Sequence, residues 1–210
     1  MGETRLRRPH QTSIWNMKKT ICVYCASSTK VNQRYYDAAV ELGELIAQKG
    51  MRLINGAGTM GLMRACADAV LNSGGEAVGV IPQFMVDRNW HYEDMTELII
   101  TKDIHERKRK LAKMADALIA LPGGCGTFEE LLEAITWKQL GIINKPIVIL
   151  NTDGYYTPLI EMLEKAVREH FMREEHLRLW TVASTPEEAL EQVENAPDWD
   201  ADTAKFMARI

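Results

Sequence analysis

Apolar residues recur along the chain in two alternating rhythms. Short continuous apolar runs fall near residues 20–26, 51–55, 76–81, 97–101, 116–121, 145–151 and 178–183. Their length and their Val, Ile and Leu content predict strands buried on both faces. Between them apolar positions return every three to four residues, which predicts amphipathic helices near 33–49, 60–73, 104–115, 127–141, 156–171 and 185–195. Punctuation agrees with this spacing: Gly50 closes the first helix, and Thr185 and Pro186 open the last as N-cap and first-turn proline. Strand and helix in strict alternation require right-handed crossovers, so the expected fold is α/β, a doubly wound parallel sheet flanked by helices in a single domain. Residues 1–17, with Arg5, Arg7, Arg8 and Pro9, show no periodicity and read as a flexible leader. The folded domain is expected at 18–196, followed by a loosely held C-terminal tail at 197–210.

Composition narrows the class of partner. At 210 residues, 46% hydrophobic and 26% charged, the chain has the makeup of one folded domain and excludes a disordered or collagen-like protein. Its net charge of −4 supplies no global attraction to nucleic acid or anionic lipid, so an anion site has to be built locally. No apolar run reaches the length of a membrane span and the first 17 residues lack the apolar centre of a signal peptide, so a cytoplasmic protein with no membrane partner is expected. The four cysteines, Cys22, Cys25, Cys66 and Cys125, have no zinc-like spacing, and no metal is expected. Cys22 and Cys25 form C-x-x-C inside an apolar run, where small buried residues are a better reading than a redox pair.

In a doubly wound sheet, ligands bind at the carboxyl ends of the strands. The unusual residues lie there: Ser27 and Ser28 after the first strand, Gly56-Ala-Gly58 after the second, and Pro122-Gly-Gly-Cys-Gly-Thr127 after the fifth. The last joins a buried strand to a helix whose first turn presents unpaired N–H groups and a positive dipole end, a place for a phosphate. Gly123, Gly124 and Gly126 remove the Cβ atoms that would keep an anion from the backbone, and the Thr127 hydroxyl adds a donor. It is neither a Walker loop nor G-x-G-x-x-G. Thr127-Phe-Glu-Glu130 also fits a capping box, in which Glu130 would merely fold back on the Thr127 amide. Both readings of Glu130 stand on spacing alone, although a second acid, Glu129, is superfluous to a cap. A basic stretch, His105-Glu-Arg-Lys-Arg-Lys110, offers Arg107 or Lys108 to a phosphate or ribose; otherwise it is a solvated helix face. It is short and has no interleaved aromatics, so nucleic acid is not an expected partner. His105 is expected to orient a neighbouring side chain rather than act as a base.

Pro122-Gly-Gly-Cys-Gly-Thr-Phe-Glu-Glu130, His105-Glu-Arg-Lys108 and Gly56-Ala-Gly-Thr-Met-Gly-Leu-Met63 together resemble the LONELY GUY family, the cytokinin riboside 5′-monophosphate phosphoribohydrolases, long labelled lysine decarboxylases. The family pattern P-G-G-x-G-T-x-x-E matches in full, and the resemblance runs from about Lys19 to Phe171. It implies a homodimeric Rossmann-like fold, no cofactor, and hydrolysis of the N-glycosidic bond of an adenine-type nucleoside 5′-monophosphate to free base and ribose 5-phosphate. It also implies Arg107 and Glu130 as the catalytic pair, with Lys108, Gly123, Gly124, Gly126, Thr127, Glu129 and Thr136 contacting the nucleotide. The chain departs from the family pattern where Ala57 and Arg64 replace glycines and where Asn89 aligns with an acidic ligand, which Asp87 is available to replace. The rival reading is a nucleotide-binding or carrier protein that uses the same loop without turnover.

Overall fold

The computed structural model describes residues 18–196 and Trp199. The expected leader at 1–17 and, apart from Trp199, the expected tail lie outside the described residues.

Seven strands, β1 (Thr20–Tyr24), β2 (Arg52–Asn55), β3 (Glu76–Pro82), β4 (Glu97–Thr101), β5 (Ala117–Ala120), β6 (Ile147–Leu150) and β7 (Thr181–Ala183), form one sheet in the order β4-β3-β2-β1-β5-β6-β7. Every pairing is parallel. The α-helices are α1 (Gln33–Gln48), α2 (Gly61–Asn72), α3 (Gln83–Val86), α4 (Ile104–Met114), α5 (Cys125–Gln139), α6 (Thr157–Arg168) and α7 (Pro186–Glu194). The doubly wound parallel sheet expected from the alternation is present.

Alternate residues of each central strand feed opposite layers. Ile21, Leu53, Ala117 and Val148 pack toward α1, α2 and α7, whereas Cys22, Ile54, Leu118 and Ile147 pack toward α4, α5 and α6. Both clusters are nearly dry, which is why β1, β2, β5 and β6 read as continuous apolar runs. β4 lies at the edge and leaves Ile100 half exposed. Trp199 is buried in the second cluster, so at that position the chain is held against the core.

The structure differs from the expected boundaries where side-chain chemistry ends an element early. The run at 178–183 yields only a three-residue β7, because residues Glu174–Arg178 form a 3-10 turn. α3 carries no periodic signal, being a single turn that follows Pro82. Cys22, Cys25 and Cys66 are buried free thiols, and burial pushes all three up, Cys66 to about 12. This is the behaviour of small core residues, not of a redox pair. Among the described residues, no helix is long and apolar enough to cross a membrane.

Strand order reverses between β1 and β5: the chain builds outward from β1 to β4, returns to β5, and builds outward the other way. The crevice at that reversal is the standard ligand position of such sheets. The loops after β1 and β5 border it, tied by the Ala26 N–H donating to the Pro122 carbonyl at 3.1 Å.

Candidate active site

A cavity of about 440 Å³ opens at this crevice. One wall comes from α5. Gly124 is its N-cap and has no side chain to offer, and the first intrahelical bond is Phe128 N–H to the Gly124 carbonyl at 3.0 Å. The amides of Cys125, Gly126 and Thr127 therefore lack helical acceptors, as at any helix start. The helix begins two residues before the expected 127, and this decides between the two readings of Glu130. Thr127 lies inside the helix rather than at its N-cap, so the capping box is not formed, and the Glu130 side chain faces Arg107 instead.

The loop glycines differ in role. A Cβ on Gly123 would stand 2.1 Å from Thr127 Oγ1, so this glycine lets the buried threonine pack under the loop. A Cβ on Gly124 or Gly126 would meet nothing, because both face the cavity. Two tyrosines that the sequence did not single out hold the loop from behind. Tyr155 Oη donates to the Gly123 carbonyl at 2.6 Å and Tyr156 Oη to the Leu121 carbonyl at 2.7 Å. Their only sequence signal is a Tyr-Tyr pair, 32 and 35 residues downstream of the carbonyls they bond, which nothing local connects to the loop.

The opposite wall is α4, capped by Asp103, whose carboxylate accepts from the Glu106 N–H at 2.7 Å. Its basic stretch divides by helical phase. Lys108, Leu111 and Ala112 are buried with Arg107 beside them, while His105 and Arg109 are exposed. The solvated-face reading therefore holds for the outer charges and fails for Arg107 and Lys108. His105 is exposed and is not what holds Arg107. Arg107 is held instead by the Val80 carbonyl, which accepts from Nε at 3.0 Å, and by Glu130 Oε1, 3.4 Å from Nη1. Both side chains of that ion pair are almost out of solvent, at 12% and 10% exposure. Burial pushes the Glu130 carboxyl above its ordinary value of 4.5, Arg107 opposes that, and Glu129 reinforces it. Lys108 Nζ bonds Glu129 and, at 3.1 Å, Glu133. Burial works against its charge, but these two carboxylates outweigh it and raise its affinity for the proton.

Of the residues expected to form the site, Arg107, Lys108, Gly124, Gly126, Thr127, Glu129 and Glu130 line the cavity, and Gly123 supports it from one residue away. Thr136 is not brought there. It is exposed two turns further along α5, its hydroxyl donating to the Leu132 carbonyl at 2.8 Å. Asn89 and Asp87 are also exposed and off the cavity wall; Asp87 accepts from Gln83 Nε2 at 2.7 Å. Met63, Met85 and Ile104, not foreseen as site residues, supply its apolar side.

Residues 63–193 match the family described as "Possible lysine decarboxylase". The chain is 44% identical over 176 residues to the probable cytokinin riboside 5′-monophosphate phosphoribohydrolase LOGL2 of Oryza sativa subsp. japonica, covering 84% of this chain and 72% of that one. It is 42% identical over 190 residues to the cytokinin riboside 5′-monophosphate phosphoribohydrolase LOG7 of Arabidopsis thaliana, covering 90% and 88%. The chain belongs to the LOG family. Among solved structures it resembles the molybdenum cofactor carrier protein of Chlamydomonas reinhardtii, at TM-score 0.66 and 23% identity over 85% of this chain and 98% of that one. It also resembles the molybdenum cofactor binding protein of Rippkaea orientalis, at TM-score 0.65 and 21% identity over 85% and 96%. At that identity these neighbours bear on the fold, and the LOG family fold is the Rossmann-like one seen here.

Proposed function

We propose that this LOG-family chain hydrolyses the N-glycosidic bond of adenine-type nucleoside 5′-monophosphates, cytokinin riboside monophosphate or AMP, to free base and ribose 5-phosphate. The observation that carries the reading is the Arg107–Glu130 pair, buried one turn beyond an uncapped helix start floored by glycines. The 5′-phosphate binds the free amides of α5 and the Thr127 hydroxyl, in the space beside Gly124 and Gly126. Glu130, three residues further on and thus about 4.5 Å along the axis, reaches the ribose carbon. As the bond breaks, its electron pair leaves with the base and positive charge grows on the sugar. The Glu130 carboxylate stabilises that charge and takes a proton from the water whose oxygen bonds the anomeric carbon, and that proton passes on to the departing base, which leaves neutral. Arg107 orients the nucleotide and steadies Glu130, and Lys108 and Glu129 bound the phosphate side. The purine packs against Met63, Met85 and Ile104, in a cavity within the range of about 300–1,000 Å³ usual for small ligands.

We further infer a homodimer. The outer face of α5 and the turn after it leave Leu140 and Ile142 more than 60% exposed, and Thr136 lies on the same helix. A second copy covering that surface would bring Thr136 toward a nucleotide it does not reach in its own chain. Three buried free thiols fit a reducing, cytoplasmic setting.

The test is chromatography of AMP and of isopentenyladenosine monophosphate after incubation with wild type and with Glu130→Gln. Base release by wild type, falling about 10² to 10³-fold in the variant, is expected. Equal release by both removes Glu130 from the reaction, and intact nucleotide from both indicates a carrier.

A further inference from the structure

We infer that Gly56, at the start of the β2–α2 turn, is a positioning residue for Arg107: its bare backbone is the seat on which the guanidinium lies. A Cβ built on Gly56 would stand 1.7 Å from Arg107 Nη2 and 2.8 Å from its Cζ. Both atoms lie at the far end of a long side chain, but that end is pinned. Nε is already committed to the Val80 carbonyl at 3.0 Å and Nη1 faces Glu130 at 3.4 Å, so the guanidinium is held from two sides. Arg107 thus spans from β3, past the end of β2, to α5, and the missing side chain at position 56 leaves room for that passage.

The seat itself is held from below. Asn55, 1% exposed, accepts from the Ala57 N–H at 2.9 Å through Oδ1 and donates to the Met63 carbonyl at 3.2 Å through Nδ2. Both hydrogen bonds close the turn that carries Gly56, so the turn cannot swing away to relieve an added methyl without leaving a buried amide unpaired. The φ of +53° at Ala57 marks the same tight path. By contrast, a Cβ on Gly58 would meet only the flexible Met63 Sδ at 3.0 Å. A glycine-rich strand-to-helix turn is ordinarily read as giving the chain room to bend or a phosphate room to approach. Here the group admitted is a side chain of the protein's own.

The role of Gly56 in turnover rests on the reading above, but its contact with Arg107 does not, and a double-mutant cycle separates the two. Gly56→Ala, Arg107→Ala and the double variant are purified, with Ala57→Gly as a control in the same turn. In the wild-type background Gly56→Ala should lower the thermal midpoint, and in the Arg107→Ala background it should not, because the colliding atoms are gone. A fall of the same size in both backgrounds overturns the proposal. Should Gly56→Ala fail to fold while the double variant folds, the collision stands; failure of both also overturns it. Where nucleotide is cleaved, Gly56→Ala should lose about 10²-fold in kcat, as a displacement near 1 Å does, whereas Ala57→Gly stays near wild type. The acid limb of its pH profile should also move up, because a displaced Arg107 no longer favours ionised Glu130. The other groups around Glu130, namely Lys108 from α4, Glu129 and Glu133 from α5, Cys22, Tyr24 and Cys25 from β1 and its following loop, and Tyr156, are unchanged. A turn that mattered only to folding would lower the active fraction and leave that limb in place. Absence of cleavage in wild type would defeat the proposed function and leave the thermal cycle to decide Gly56.

Discussion

Glu130 illustrates how a functional group sets itself against stability at the residue scale. Its carboxyl is held above 4.5, mainly by burial, with the nearby Arg107 charge opposing. A folded-state value above the unfolded one means that the folded chain binds the proton more tightly. Ionisation therefore subtracts stability as pH rises through the interval between 4.5 and the folded value, and the loss persists at neutral pH. Glu130→Gln keeps the shape and an acceptor for Arg107 without the charge. It should unfold at a higher temperature than wild type at pH 7, with the gain vanishing below pH 4, while losing its catalytic function. Calorimetry across that range checks the sign, and a variant less stable at pH 7 would show that pairing with Arg107 dominates burial. The same raised value places the acid limb of activity above the usual carboxylate range, since the ionised form is the reactive one.

At the scale of elements, the start of α5 and the β2–α2 turn each separate structural from functional glycines. Gly123→Ala should destabilise by about 1–3 kcal/mol, because the added methyl overpacks against Thr127. Gly126→Val has open space for its side chain, so its unfolding midpoint should stay near wild type while KM for the nucleotide rises several-fold. Denaturant unfolding and kinetics on the two variants check this, and an unchanged KM in Gly126→Val would show that the cavity is not the phosphate site. In the β2–α2 turn, Ala57, one of the two expected departures from the family pattern, stands at φ +53° and 1% exposed, with its Cβ over Gly79. Relief of about 1–2 kcal/mol of left-handed strain in Ala57→Gly is offset by lost burial and a freer unfolded chain, so its stability should stay within about 1 kcal/mol of wild type. Ala57→Val, branched at Cβ and facing Gly79, should lose clearly more. Arg64, the other departure, bonds Asp68 at 3.2 Å and stacks on Tyr92 at 4.7 Å, joining α2 to the segment after α3 outside the cavity.

For the whole molecule, the exposed apolar side of α5 bears on assembly. Ile142→Glu should leave the fold intact, convert a dimer to a monomer in sedimentation, and remove any contribution of Thr136 to KM. A wild-type monomer would dismiss the second copy. The alternation of apolar runs and helical periods was enough to determine a parallel doubly wound sheet, because a strand covered on both faces is apolar throughout whereas a helix laid on the sheet is apolar along one stripe. It also pointed to the ends of β1, β2 and β5, since glycines and serines stand out against continuous apolar strands. Local spacing could not say whether Glu130 caps its helix or faces a cavity; that turned on where α5 begins, which depends on how Gly123 packs on Thr127 and how Tyr155 and Tyr156 hold the loop. Nor could it relate Gly56 to Arg107, Arg107 to Val80, or Lys108 to Glu129 and Glu133. These partners are brought together only by the strand order, and a polar side chain takes its role from whichever groups share its burial. Element type is therefore written in neighbouring residues, whereas the charge state and orientation of the site arise from contacts between distant ones.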